Sequence, residues 1–284
     1  MSNASRRSSV IVLGLALLLG ATALHADHSW GNYHWARTSN PFTLKLGDNV
    51  TSAWDSYLNT ASNQWSQSSV LNTTVVAGST RPKPCKGVNG RIEVCNAAYG
   101  GTGWLGIAQI SITGGEHIVK GVAKMNDSYF NTSTYNTPDW RAMVMCQEIA
   151  HAFGLDHQDE NFNNANLGSC MDYTSDPNGP PSNTSPNAHD YDQLETIYAH
   201  LDSTTTVGLT AGAVDKSMPP AMDDLELNGL GQWGRPIGKN LDGRSDLYVL
   251  DFGDGYMIFT HVIWADAALG YDDEGDHGHH HGGE

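Results

Sequence analysis

The sequence predicts an α+β fold, and three stretches carry that prediction. Val50, Ala53, Trp54, Tyr57, Leu58, Ala61 and Trp65 recur at helical spacing on one face, the pattern of a helix packed on something flat. Residues 104–112 and 117–125 are two β-rich runs joined by Thr113-Gly114-Gly115-Glu116, a hairpin connection. Thr137-Pro138-Asp139 is a helix start: a hydroxyl N-cap, a proline at the first helical position and an acid in the first turn.

In chain order, Arg6 and Arg7 precede an apolar run over 10–19, followed by Ala21, Ala23 and Ala26. A positive start, a short apolar middle and a small-residue end read as a secretory signal peptide over 1–26. The apolar run is too short to span a bilayer comfortably. Residues 33–37 read as a first strand, and 50–65 as the amphipathic helix. Residues 70–77 and 91–97 are β-like. The helix that opens at Thr137 runs to Phe153 and stops at Gly154, since glycine ends helices in the left-handed conformation. A loop rich in Asn, Asp, Gly and Pro fills 158–184. Ser185-Pro186 then opens a last helix with Tyr191, Leu194, Ile197, Tyr198 and Leu201 as its buried stripe.

The expected layout is a main domain over 27–202 and, over 203–270, a linker with a β-hairpin extension. The hairpin strands are 247–252 and 256–265, turning at Gly253-Asp254-Gly255. Residues 271–284 are acidic and carry His277, His279, His280 and His281, the composition of a disordered tail. That tail is either a scavenger of zinc or nickel or an inert end.

The 284 residues are 39% hydrophobic with eight Trp, enough for a real core. A net charge of −16 excludes nucleic acid and anionic lipid as partners through bulk charge. Export predicts disulfides among the four cysteines. Cys85 and Cys95 bracket an Asn89-Gly90 turn, which suits a local bridge and leaves Cys146 for Cys170. The alternative is a free or metal-bound thiol.

Residues 147–157, QEIAHAFGLDH, carry the chemistry. Gln147 and His151 stand one turn apart on the same helix face, and Glu148 sits beside them. Gly154 lets the chain reverse, so that His157 can reach back to the same point. Three such side chains and an open position for water define a catalytic metal site. Cys146 lies about 140° round the helix from His151, off that face.

These residues resemble the metzincin clan of zinc endopeptidases, whose motif is H-E-x-x-H-x-x-G-x-x-H. Every specified position matches except the first, where Gln147 stands for histidine. Ser169-Cys170-Met171-Asp172-Tyr173 adds a second likeness. It is similar to the methionine turn of astacins and serralysins, in its S-x-M-x-Y form. The compact size and edge-strand region look more like matrixins, and the likeness covers roughly residues 30–202.

The resemblance implies a mixed twisted sheet with an antiparallel edge strand, an active-site helix, a methionine turn containing Met171 and a C-terminal helix. It implies zinc held by Gln147, His151 and His157, with Glu148 as general base and Tyr173 assisting the oxyanion. An extended peptide or protein substrate would lie along the edge strand, assigned to 117–125. The expected protein is a secreted, monomeric zinc metalloendopeptidase, free of the membrane once its leader is removed. The alternative is a weak or inactive metzincin-like module that binds peptide or metal. An amide oxygen is a poorer zinc donor than imidazole, so Gln147 predicts weaker binding. Asp156, Asp159 and Glu160 raise calcium as a second ion, but they lack an oxygen-ligand pattern and read as a solvated loop. His117, His189 and His200 read as solvated or hydrogen-bonded structural histidines.

Overall fold

The computed structural model describes residues 28–210, 218–222, 225–241 and 243–265. The predicted leader and the His-rich tail lie outside the described residues.

The described chain builds nine strands, β1 His34–Trp35, β2 Phe42–Asn49, β3 Leu71–Ala77, β4 Ile92–Ala97, β5 Trp104–Thr113, β6 His117–Asn126, β7 Arg235–Gly238, β8 Leu247–Asp251 and β9 Met257–Trp264. Four helices accompany them: α1 Asp55–Trp65, α2 Asp127–Phe130, α3 Pro138–His151 and α4 Ala188–Ile197. β2 was not expected, although Phe42, Leu44 and Leu46 are buried and alternate with exposed Thr43 and Lys45, the period of a half-buried strand. Thr137 caps α3 by accepting from Trp140 N. Asn187, rather than Ser185, caps α4 in a reciprocal box with Asp190.

The strands form one mixed sheet in the order β3-β2-β4-β6-β5-β9-β8-β7, with β1 beside the start of β6. β2, β3, β4 and β6 run parallel to their neighbours among themselves, whereas β5, β9, β8 and β7 form an antiparallel series. This α+β architecture with a mixed sheet is the one expected. The assignment of 117–125 to the edge needs correction: β6 lies between β4 and β5, so its backbone groups are already paired. β5, the antiparallel strand, is paired along its other side by β9. The segment expected as an extension thus supplies strands of the main sheet.

Side-chain alternation sorts the sheet into two faces. On one, Ala108, Ile110, Ala123, Met125, Phe259 and Ile263 share a core with the helices. α3 packs there over β5 and β6, with α1 alongside it. On the other, Ile107, Val119, Ile258 and Val262 pack under Met218, Met222, Leu227 and Trp233. Disulfides join Cys85 to Cys95 and Cys146 to Cys170. The second ties α3 to the turn that contains Met171.

Candidate metal centre

The last turn of α3 enters the core, so Gln147, Glu148 and His151 are all buried. Gly154, at φ +99°, turns the chain after the helix. A Cβ there would collide with the Tyr33 carbonyl oxygen, so both conformation and space require glycine. The reversal carries His157 back to His151, and their Nε2 atoms stand 3.1 Å apart. His151 Nδ1 lies 2.8 Å from the Leu155 carbonyl. That oxygen can only accept, so Nδ1 carries the proton and Nε2 keeps its lone pair free.

A third imidazole joins them from a strand read only as half of a hairpin. In β9, Phe259, His261 and Ile263 fall on the helix-bearing face, and His261 pairs in register with Ala108 of β5. One ligand atom from each of His151, His157 and His261 lies within 4.8 Å of the others, and all three residues are buried. The ring of His261 sits 4.1 Å from that of His151 and 4.4 Å from that of His157, centroid to centroid. Trp30 stacks on His151 at 5.2 Å. Burial, then the neighbouring imidazoles, push His151 and His261 well below the usual histidine range. Both are therefore neutral at pH 7, the form that ligates a metal.

Gln147 donates from Nε2 to the Cys170 carbonyl at 2.9 Å. Its Oε1 is buried with no hydrogen-bond partner among the described residues. Both carboxylate oxygens of Glu148 are likewise buried and unpartnered among the described residues. Burial raises the Glu148 carboxyl well above the ordinary range. Glu148 has room because β5 carries glycine beneath it: a Cβ on Gly106 would lie 2.5 Å from Glu148 Oε1. Buried polar atoms without partners are costly; Gln147 Oε1 and the two Glu148 oxygens are three such atoms on the helix that bears His151, and the three imidazoles make a donor set that suits a divalent cation.

The turn over 169–173 is held firmly. Met171 N donates to Ser169 Oγ at 2.9 Å, and Ser169 Oγ donates to Asp190 Oδ2 at 2.7 Å. Gln158 N donates to the Met171 carbonyl, and Tyr173 N to the Asp159 carbonyl. Tyr173 reaches the cluster: its hydroxyl lies 3.3 Å from both His261 Nε2 and Asp246 Oδ2. Asp246 is pushed up to about 6, chiefly by burial. Of the acidic loop, Glu160 Oε1 stands 3.4 Å from His157 Nδ1 and Asp156 Oδ1 accepts from His157 N, so both carboxylates attend His157.

No family model matches the chain, and no curated protein matches it. Several solved structures are similar in shape, two of them as follows. Myroilysin superposes with a TM-score of 0.35 at 14% identity, covering 61% of this chain and 98% of that one. High choriolytic enzyme 1, a hatching enzyme zinc-protease from Oryzias latipes (medaka fish), gives 0.31 at 12% identity, covering 58% and 94%. Overlaps this slight leave the functional reading to the site itself. No helix among the described residues is long and apolar enough to cross a membrane.

His261 is the residue that sequence spacing did not reveal. The local signal was only its place in an alternating strand, and nothing nearby says which strand it pairs with.

Proposed function

We propose that the protein is an exported, zinc-dependent peptide hydrolase of metzincin type, with its metal held by His151, His157 and His261. The observation that carries this reading is the buried imidazole cluster at the end of the helix that bears Glu148, whose carboxylate oxygens have no hydrogen-bond partner among the described residues. Gln147 keeps its place in the set as the neighbouring amide donor, anchored through Nε2 so that Oε1 stays available. Zinc, when bound, supplies Lewis acidity to the scissile carbonyl and to a water. Glu148 takes a proton from the attacking water as the oxygen adds to the carbonyl carbon, and delivers it to the amine as the C–N bond breaks. Tyr173 donates its hydroxyl proton in a hydrogen bond to the developing oxyanion. The two disulfides support an extracellular or periplasmic setting.

A second reading has its own observation. His151 is 0% exposed, His261 2% and His157 7%, and β9 covers the side of β5 that an extended peptide would use. A centre so enclosed favours a metal that holds the fold without hydrolysis. The two readings separate on zinc content and cleavage of casein or gelatin by the full chain and by Glu148→Gln. Cleavage that both a chelator and Glu148→Gln abolish, with zinc retained in the variant, supports the hydrolase. Zinc-loaded protein that cleaves neither substrate, yet melts earlier after chelation, supports the closed centre.

A further inference from the structure

A second histidine cluster lies where the first strand, the start of β6 and the chain after α4 meet. β1 and β6 pair in parallel with His34 opposite His117. His200 and Asp202 arrive just beyond α4, and the segment is fixed there because Asp202 N donates to the Arg37 carbonyl. His34 Nε2 stands 3.1 Å from His200 Nε2 and 3.3 Å from Asp202 Oδ1. His117 Nε2 reaches the same Oδ1 at 3.3 Å, and His200 Nε2 at 3.7 Å.

Donor and acceptor accounting shows what is unusual here. The other oxygen of Asp202 is taken: Oδ2 accepts from Arg37 N at 3.0 Å and from Arg37 Nη1 at 2.9 Å. That fork fixes the carboxylate and leaves Oδ1 for the histidines. His34 Nδ1 lies 2.6 Å from the Asn32 carbonyl, which accepts only, so Nδ1 carries a proton. In the neutral ring Nε2 is then a bare lone pair, and it faces a carboxylate oxygen. Two acceptors at that distance repel unless a proton or a metal cation sits between them.

The spacing favours the metal. Ligands about 2.0–2.1 Å from a tetrahedral zinc lie about 3.3–3.4 Å from one another. The distances among His34, His200 and Asp202 are 3.1, 3.3 and 3.7 Å, which bracket that edge. Asp202 is half-buried, with His34 buried beside it and His200 exposed at the surface, which gives an entry path. The carbonyl on His34 Nδ1 and the arginine fork on Asp202 are the outer partners that orient metal ligands.

We infer that His34, His200 and Asp202 form a second divalent-metal site of the zinc class, with His117 beside it on the shared carboxylate oxygen. It shares no residue with the His151 cluster and does not depend on the hydrolase reading. Its bound ion clips β1 to the chain that follows α4.

The test uses the full mature chain with His277, His279, His280 and His281 changed to Ser, so that the tail binds nothing. Zinc alone is titrated against it, with bound metal counted by mass spectrometry and melting followed by circular dichroism. His200→Ala, an exposed change that leaves the fold intact, is expected to lose one equivalent of zinc and the associated rise in melting temperature. His34→Gln is expected to lose the same equivalent, and His151→Ala to keep it while losing a different one. Unchanged stoichiometry and melting response in both His200→Ala and His34→Gln would overturn the inference and leave a protonated His34 as the cation facing Asp202.

Discussion

Two side chains decide how zinc is held at the proposed hydrolytic centre, and they differ in kind. His261 brings an imidazole with its ring 4.1 Å from that of His151, while Gln147 brings an amide already half committed to the Cys170 carbonyl. Imidazole is the better zinc donor. His261→Ala is therefore expected to weaken zinc binding by at least about tenfold, the scale of losing even an outer partner. Gln147→Ala should weaken it less, and competition with a chromophoric chelator ranks the two. At Gly106 the limit is space: an added methyl would lie 2.5 Å from Glu148 Oε1 and 2.7 Å from Val144 Cγ1. Gly106→Ala is expected to cost about 1–3 kcal/mol in urea unfolding. The helix-borne residues were legible because the helical period fixes which side chains share a face. His261 was not, because its meaning depends on β9 pairing with β5, about 150 residues earlier, and no local pattern records that choice.

At the scale of elements, the faces of the sheet behave differently towards water and protons. Lys124 of β6 points away from α3 and is buried, with Nζ donating to the Glu226 carbonyl and to Asn228 Oδ1. Burial pushes its ammonium down to about 7. A lysine whose folded pKa is depressed binds fewer protons in the fold than in the unfolded chain, where it titrates near about 10.4. Stability should therefore rise as pH climbs from about 7 towards about 10.4, by at most about 1.4 kcal/mol per pH unit from this group. Lys124→Met should flatten that slope in denaturation curves at pH 7, 8.5 and 10. A slope equal to that of the parent chain would remove Lys124 as its source. α1, α3 and α4 were readable from periodicity, with Thr137 capping α3 as predicted, whereas α2, with four residues, is too short for a periodic pattern. β2 was missed because Thr43 and Lys45 dilute a run with only three inward apolar residues.

Across the whole molecule, the antiparallel series β9-β8-β7 is continuous with the sheet that carries α1 and α3. β9 buries Phe259, Val262, Ile263 and Trp264, split between both faces. A chain ending at residue 240 is expected to expose the flank of β5 together with Trp104 and Ile107. Such an open, apolar strand edge invites association. The truncated protein should elute as aggregates in gel filtration and lose cooperative thermal unfolding. A soluble, cooperatively melting fragment would mean that the rest of the sheet folds without β8 and β9. The change of composition after residue 203 was real in the sequence, but composition reports local character and not which sheet a strand will join.

The place of His261 near the end of the described chain also sets an order of events. Ribosomes make His151 and His157 more than a hundred residues before His261 exists. The proposed three-imidazole centre therefore cannot form until β9 has been made, and any product that stops short of β9 lacks it. Completion of the proposed centre and completion of the described sheet are a single step, so one cannot be had without the other.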